Sequence, residues 1–155
     1  MYEELDELLA QKDIKTLFVG LGNLLRKDDG VGVYISNRIK PGKNISVLTA
    51  EVAVENYIGK INSLRPDVVI FIDCSDLGTK SGSCSLLPVS AVHDMTYNTH
   101  NISLKRVAEF FRMPVYLLGI QPENVGFGEE MSPDVIKVAD RIIKLINREE
   151  TFYGN

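Results

Sequence analysis

The sequence has few cysteines, no long apolar run and no excess of basic residues, and each absence excludes a class of protein. Its two cysteines, Cys74 and Cys84, form no C-x-x-C pair, which excludes a zinc ribbon and a disulfide framework. No apolar run approaches the roughly 20 residues that a membrane-spanning helix needs, so membrane insertion is not expected. A net charge of −4 argues against binding to nucleic acid or to anionic membranes, because both require a basic surface.

The composition is that of one ordinary globular domain. The chain has 155 residues, of which 45% are hydrophobic and 25% charged, so one domain spanning residues 1–155 can bury a sizeable core. The N-terminal stretch MYEELDELLAQKD is acidic and amphipathic and has neither region of a secretory signal, so it is interpreted as a short surface helix. We therefore expect a cytoplasmic monomer with reduced thiols.

Apolar runs alternate with segments of helical periodicity along the chain. Strands are predicted at 16–22, 44–50, 66–76, 84–89 and 115–120, and helices at 29–39, 54–64, 102–111 and 134–149. The proline in the fourth strand favours an edge position. The pattern predicts an α/β three-layer sandwich: a mostly parallel, twisted sheet of five strands, one of them antiparallel, with helices on both faces.

The segment GLGNLLRKDDGVGV follows the first strand and has part of a nucleotide-binding pattern. It carries the first two glycines of G-x-G-x-x-G but has Leu25 in place of the third, and no G-K-[ST] follows. The loop then presents Asp28 and Asp29, whose carboxylates would repel a phosphate. A nucleotide site is therefore disfavoured, and the glycines are interpreted as a tight turn at a strand end.

Three polar segments are expected to meet at one edge of the sheet. They are Asp28-Asp29 after the first strand, Asp73 and Asp76 around the end of the third, and the stretch from His93 to His100. Carboxylate and imidazole groups together suit a divalent ion such as nickel or zinc. From the residues alone a second interpretation stays open, in which Asp29 is only a helix N-cap, Asp73 a turn residue and His100 a loop residue.

Four motifs in this order resemble one known family. GLGNLLRKDDGVGV, FIDCSDLG, THNISL and LGIQPENVGF together look like the hydrogenase maturation endopeptidases, closest to the branch that serves formate-linked, energy-converting hydrogenases. The resemblance extends from Leu17 to the last helix. It implies a peptidase that removes a C-terminal extension from the large-subunit precursor of a nickel–iron hydrogenase.

The resemblance also implies the site residues. By motif position, the family's metal-binding and catalytic residues fall on Asp29, Asp73 and His100. The metal is understood to be nickel already inserted into the substrate, so it is supplied by the precursor and not tightly bound at rest. The implied partner is the hydrogenase large-subunit precursor.

Some positions allow more than one interpretation. Many family members have D-G-G after the second strand, where this chain has Thr49-Ala50-Glu51; either Glu51 supplies the carboxylate from a shifted position or the chain lacks it. Asp28 and Asp76 are each a candidate general base or a residue that orients a metal ligand. The other interpretation, a solvated loop acid, is favoured for both.

Cys74, beside Asp73, is either a protease nucleophile or a packed and inert thiol. The second is favoured, because neighbours on a strand face opposite sides and no nucleophile elbow is present. His93 matches no family ligand and is interpreted as solvent-facing, and turn geometry alone explains Gly126 and Gly128.

Two other functions remain as alternatives to the endopeptidase. The first is a non-catalytic, nickel-dependent binding or chaperone module for the hydrogenase large subunit, which the missing D-G-G aspartate keeps open. The second, from pattern alone, is a small-molecule α/β enzyme that uses the same sheet edge.

Overall fold

The computed structural model describes residues 2–11, 13–92 and 103–148. Its strands are β1 Thr16–Leu21, β2 Ile45–Glu51, β3 Val68–Cys74, β4 Cys84–Pro88 and β5 Val115–Ile120. Its α-helices are α1 Glu3–Ala10, α2 Val31–Ser36, α3 Ile58–Leu64, α4 Leu104–Ala108 and α5 Pro133–Asn147. Short 3-10 turns occupy Lys27–Gly30, Val54–Tyr57 and Val89–Ala91. No helix of this described part is both long and apolar enough to cross a membrane.

The five strands form one sheet in the order β2-β1-β3-β5-β4. The pairs β1–β2, β1–β3 and β3–β5 are parallel, and β4 runs antiparallel to β5 at the edge. Pro88 ends this edge strand, where its missing N–H removes no bond from the centre of the sheet. The predicted fold class, with one antiparallel strand, is confirmed.

Alternation along the central strands divides the core between the two faces of the sheet. Phe18, Ile70 and Ile72 belong to a cluster that packs against α1, α2 and α5. Leu17 and Phe71 belong to a second cluster that packs against α3 and α4. Every residue of β1 and β3 is buried, which is why these strands are continuous apolar runs in the sequence.

The helices are shorter than the sequence predicts. The predicted helix 29–39 is a 3-10 turn at Lys27–Gly30 followed by α2, Val31–Ser36. After α2 the chain closes tighter turns, with Arg38 N–H donating to Ile35 O at 2.9 Å and Ile39 N–H donating to Ser36 O at 3.4 Å. These i→i−3 bonds tighten a helix end, and periodicity alone does not separate them from α-helix.

Candidate functional site

A glycine turn carries the chain out of β1 at the carboxyl edge of the sheet. Gly22 has φ +128°, and a Cβ at this position would lie 2.0 Å from Asp29 O. Its N–H donates to Glu51 O at 3.1 Å, which joins the turn to the end of β2. Only glycine fits both the backbone angle and the close approach. Gly22 therefore bends the chain so that Asp29 returns over the strand end.

Close packing at Gly32 brings the start of α2 onto the ends of β1 and β3. A Cβ on Gly32 would lie 2.1 Å from Ile72 O and 2.3 Å from Leu21 O. The missing side chain thus lets the helix touch the backbone just before Asp73. As a result, the 3-10 turn that carries Asp29 contacts β3.

Asp29 and Asp73 are both buried at this edge, with exposures of 1% and 0%. Asp29 Oδ2 accepts a hydrogen bond from Asn23 N–H at 3.2 Å, and Asp73 Oδ1 accepts one from Cys74 N–H at 2.8 Å. The structure thus places two of the three predicted ligands at the same edge, although their role as ligands stays a prediction. The N-cap interpretation of Asp29 is wrong, because Gly30 occupies the N-cap and no side chain caps α2.

Cys74 follows Asp73 in β3, and its side chain faces the opposite side of the sheet from that of Asp73. It packs in the cluster that contains Ile72 and is fully buried. Burial raises the pKa of the Cys74 thiol well above its usual range, and the negative charges of Asp73, Asp29 and Asp28 raise it further. A neutral buried thiol is a poor nucleophile. The prediction of a packed thiol is confirmed; its inertness remains to be measured.

Asp28 points away from Asp29 into a separate, buried hydrogen-bond network. Successive residues of a 3-10 turn diverge by about 120°, so the two side chains cannot share a face. Asp28 is 0% exposed, and its oxygens accept from the backbone N–H groups of Glu123, Asn124 and Ser132 and from the Ser132 hydroxyl. A solvated loop acid is therefore wrong. A general base is disfavoured, because the carboxylate is buried and already accepts four hydrogen bonds.

Asp76 and Glu51 are two exposed acids near this edge. Asp76 Oδ1 accepts from Gly78 N–H at 3.1 Å, which is a local turn contact and agrees with a solvated loop acid. Glu51 ends β2 with a left-handed φ of 56° and an exposed side chain. In the same strand the Thr49 hydroxyl is hydrogen-bonded to Ser36 Oγ at 2.7 Å. Of Thr49, Ala50 and Glu51, only Glu51 has a carboxylate.

His100 and His93 lie outside the described residues. Within 2–11, 13–92 and 103–148, no group of three or more His, Cys, Asp or Glu side chains is arranged to hold a metal ion. The three-residue ligand set therefore stays a prediction, with Asp29 and Asp73 as its described members.

Two loops meet beside the carboxylates and expose apolar side chains. Lys27 N–H donates to Gly128 O at 2.7 Å, and Gly128 N–H donates to Leu25 O at 2.9 Å. Phe127 is 89% exposed and Leu25 is 61% exposed on these bonded loops. The Arg26 guanidinium lies 5.9 Å from the centre of the Phe127 ring. This pair of exposed apolar side chains was not anticipated from the sequence, which shows no periodicity in either loop.

The family model HycI, described as hydrogenase maturation protease, matches residues 31–149, about three quarters of the chain. The chain belongs to the hydrogenase maturation protease family. The predicted resemblance is thereby confirmed, and so is the assignment to an enzyme class, the peptidases.

Individual members of the hydrogenase maturation protease family agree in length and fold. The hydrogenase 3 maturation protease of Escherichia coli K12 is 29% identical over 141 residues, covering 87% of this chain and 88% of that protein. The crystal structure of HycI from Thermococcus kodakarensis KOD1 aligns with a TM-score of 0.80 at 26% identity, covering 94% of this chain and 97% of that one. The solution structure of the E. coli endopeptidase HycI aligns with a TM-score of 0.77, also at 26% identity, covering 88% and 92%.

Proposed function

We propose that this chain is the endopeptidase that removes the C-terminal extension from the large-subunit precursor of a nickel–iron hydrogenase after nickel has been inserted. Membership in the hydrogenase maturation protease family supports the processing role. The recognition of nickel is a second, more specific part of the proposal. The observation that carries it is the pair of buried carboxylates, Asp29 and Asp73, at one edge of the sheet.

The donor set fits a divalent ion of borderline hardness. Asp29 and Asp73 supply carboxylate oxygens, and His100, by its position in the THNISL motif, supplies an imidazole nitrogen. Oxygen and imidazole donors suit nickel, and a protein that fills only some of its positions leaves others for the substrate's own ligands. The nickel is part of the substrate. Bound between enzyme and precursor, it would place the scissile peptide at the sheet edge and polarise its carbonyl or a water molecule.

The protein's own contribution is a rigid site. Gly22 and Gly32 press the Asp29 turn against the ends of β1 and β3, and neither contact leaves room for a side chain. A carboxylate held in this way keeps its orientation before substrate arrives, which lowers the cost of ordering it on binding.

The exposed pair formed by Leu25 and Phe127 extends this site outward. Exposed apolar surface next to a functional site favours contact with a protein partner. Because Leu25 lies only four residues before Asp29, we expect the precursor to contact this pair when its extension reaches the carboxylates. Arg26, beside the ring of Phe127, adds a cation to the same surface.

The test is a cleavage assay with the purified chain on two forms of the precursor, one loaded with nickel and one free of it. The proposal expects a shorter product from the nickel-loaded form alone. Cutting both forms equally would contradict nickel recognition. Binding of the nickel-loaded form without any cutting would favour the non-catalytic binding module and make Glu51, at the D-G-G position, the first residue to examine.

A further inference from the structure

We propose that Asp28 is a positioning residue, whose buried carboxylate fixes the segment 123–132 against the turn Lys27–Gly30 and so sets the orientation of Asp29. Its effect on cleavage rests on the function proposed above, whereas its effect on the geometry of the site does not.

The contacts of Asp28 span most of the chain. Oδ2 accepts from Glu123 N–H and Asn124 N–H, both at 2.9 Å, and from the Ser132 hydroxyl at 2.7 Å. Oδ1 accepts from Ser132 N–H at 2.7 Å. These partners lie 95 to 104 residues later in the sequence. One carboxylate therefore holds both ends of the segment 123–132.

The position at the start of α5 strengthens these bonds. Ser132 is the N-cap of α5 but makes no side-chain cap bond of its own, since its hydroxyl donates to Asp28 instead. A carboxylate near the N-terminus of a 15-residue helix is stabilised by the helix dipole. Bonds to an ionised acceptor are also stronger than neutral ones.

Two more hydrogen bonds join the turn to the segment 123–132, and together with the four bonds of the Asp28 carboxylate they form what is called the Asp28 clamp below. Asp28 N–H donates to Asn124 O at 3.0 Å, and the Arg26 side chain donates through Nε to Val125 O at 3.2 Å. The turn is therefore fixed to the distant segment on its carboxylate side and on its backbone side.

Asp29 follows Asp28 in the same 3-10 turn, so the bonds that fix Asp28 also fix the backbone position of Asp29. Asn23 N–H donates to both the backbone O of Asp29, at 3.3 Å, and its Oδ2, at 3.2 Å. If the Asp28 clamp opens, the turn can rotate and this pair of bonds must change. The Asn23 amide therefore reports on the orientation of Asp29 in the protein alone, without substrate.

The experiment compares amide NMR spectra and hydrogen exchange of the ¹⁵N-labelled wild-type chain, Asp28→Asn and the control Asp76→Asn. Asp28→Asn keeps the size of the side chain but replaces one acceptor oxygen by an amide that cannot accept. We expect at least about tenfold faster exchange at Glu123, Asn124 and Ser132, and a shifted Asn23 amide resonance. Asp76→Asn removes an exposed carboxylate near the same edge and should leave all four amides unchanged.

The same variants are assayed for cleavage of nickel-loaded precursor. Asp28→Asn should lower kcat/KM by about tenfold or more, the scale seen when a group that orients a metal ligand is removed, and Asp76→Asn should not. Unchanged exchange at Glu123, Asn124 and Ser132 would refute the claim that the Asp28 carboxylate fixes the segment 123–132. Faster exchange there with an unmoved Asn23 amide would overturn the positioning of Asp29 and leave a purely structural role.

A milder variant keeps the proposal testable if Asp28→Asn does not fold. Ser132→Ala removes only the hydroxyl donor and should produce a smaller shift of the Asn23 amide in the same direction. No shift at Asn23 in Ser132→Ala would then count against the proposal. Failure of the wild-type chain to cleave would refute the proposed function, while the NMR comparison would still decide the role of Asp28.

Discussion

Replacing Gly32 by alanine tests the close packing on which the site depends. The new Cβ would lie 2.1 Å from Ile72 O and 2.3 Å from Leu21 O, both on the backbone of the central strands. Non-bonded contacts of this kind need about 3.5 Å, so α2 must move outward by about 1.4 Å. Overpacking costs about 1–3 kcal/mol, and because backbone on both sides cannot yield, we expect the upper end, about 3 kcal/mol.

Gly59 provides the matched control, because the same change is made on a helix where there is space. It lies in α3, Ile58–Leu64, and a Cβ there would meet nothing within 4 Å. Alanine in an unstrained helix position stabilises by up to about 1 kcal/mol, through helix propensity and a less flexible unfolded chain. The two glycine-to-alanine changes should therefore act in opposite directions.

Thermal unfolding and urea unfolding, each followed by circular dichroism, measure both effects. For a chain of this size 1 kcal/mol corresponds to about 2–4 °C in Tm, so Gly32→Ala should lower Tm by about 6–12 °C while Gly59→Ala raises it slightly. For Gly32→Ala the urea midpoint should fall without a change in m, the slope of the unfolding free energy against urea concentration. A Gly32→Ala variant as stable as wild type would refute the claim that α2 touches the strand ends.

Three further predictions follow from burial and exposure. Cys74 and Cys84 should react with Ellman's reagent at pH 8 only after unfolding, because both are buried and burial raises their thiol pKa values, that of Cys84 to about 11. Rapid reaction of the folded chain would show that the thiols are accessible to solvent. Phe127→Ala should raise KM for the precursor with little change in Tm, since the side chain is 89% exposed; an unchanged KM would remove Phe127 from the docking surface. Tyr34→Phe should lower stability by about 1 kcal/mol through loss of the 2.7 Å bond to Asp140, as read from the urea midpoint, and an unchanged midpoint would show that this bond contributes nothing.

The sheet could be predicted because its central strands are buried on both faces. A strand covered by helices on both sides needs an uninterrupted apolar run, and Val68–Ile72 is one. The edge strand was recognisable for the opposite reason, since Pro88 is tolerated only where no partner needs its N–H. Local composition therefore carried enough information for the fold class.

The structure around Asp28 could not be predicted in the same way. Its partners lie about a hundred residues away, and nothing in the local sequence separates a buried acceptor from a solvated acid. The same limit explains the error at Asp29, where an acid before a helical pattern is typical of an N-cap but the backbone forms a 3-10 turn instead. Tertiary contacts, not propensity, decided both positions.

The candidate site was predictable in its placement and not in its detail. Parallel strands end at a common edge, so Asp29 and Asp73 could be expected to meet there, and the structure buries both at that edge. The means of their approach, the missing side chain of Gly32 against Ile72 O, follows only from the coordinates. The place of His100 in this group remains a prediction from motif order.

The most direct test of the account is single-turnover cleavage of nickel-loaded precursor by Asp29→Asn and Asp73→Asn, with His100→Ala in parallel and Asp76→Asn as the control acid. Each of the first three should cut at least about a hundredfold more slowly than wild type, because a metal ligand contributes several kcal/mol to the stabilisation of the transition state. Asp76→Asn should cut at the wild-type rate. Folded Asp29→Asn or Asp73→Asn that cleaves as fast as wild type would contradict the claim that the buried carboxylates of this edge hold the substrate's nickel.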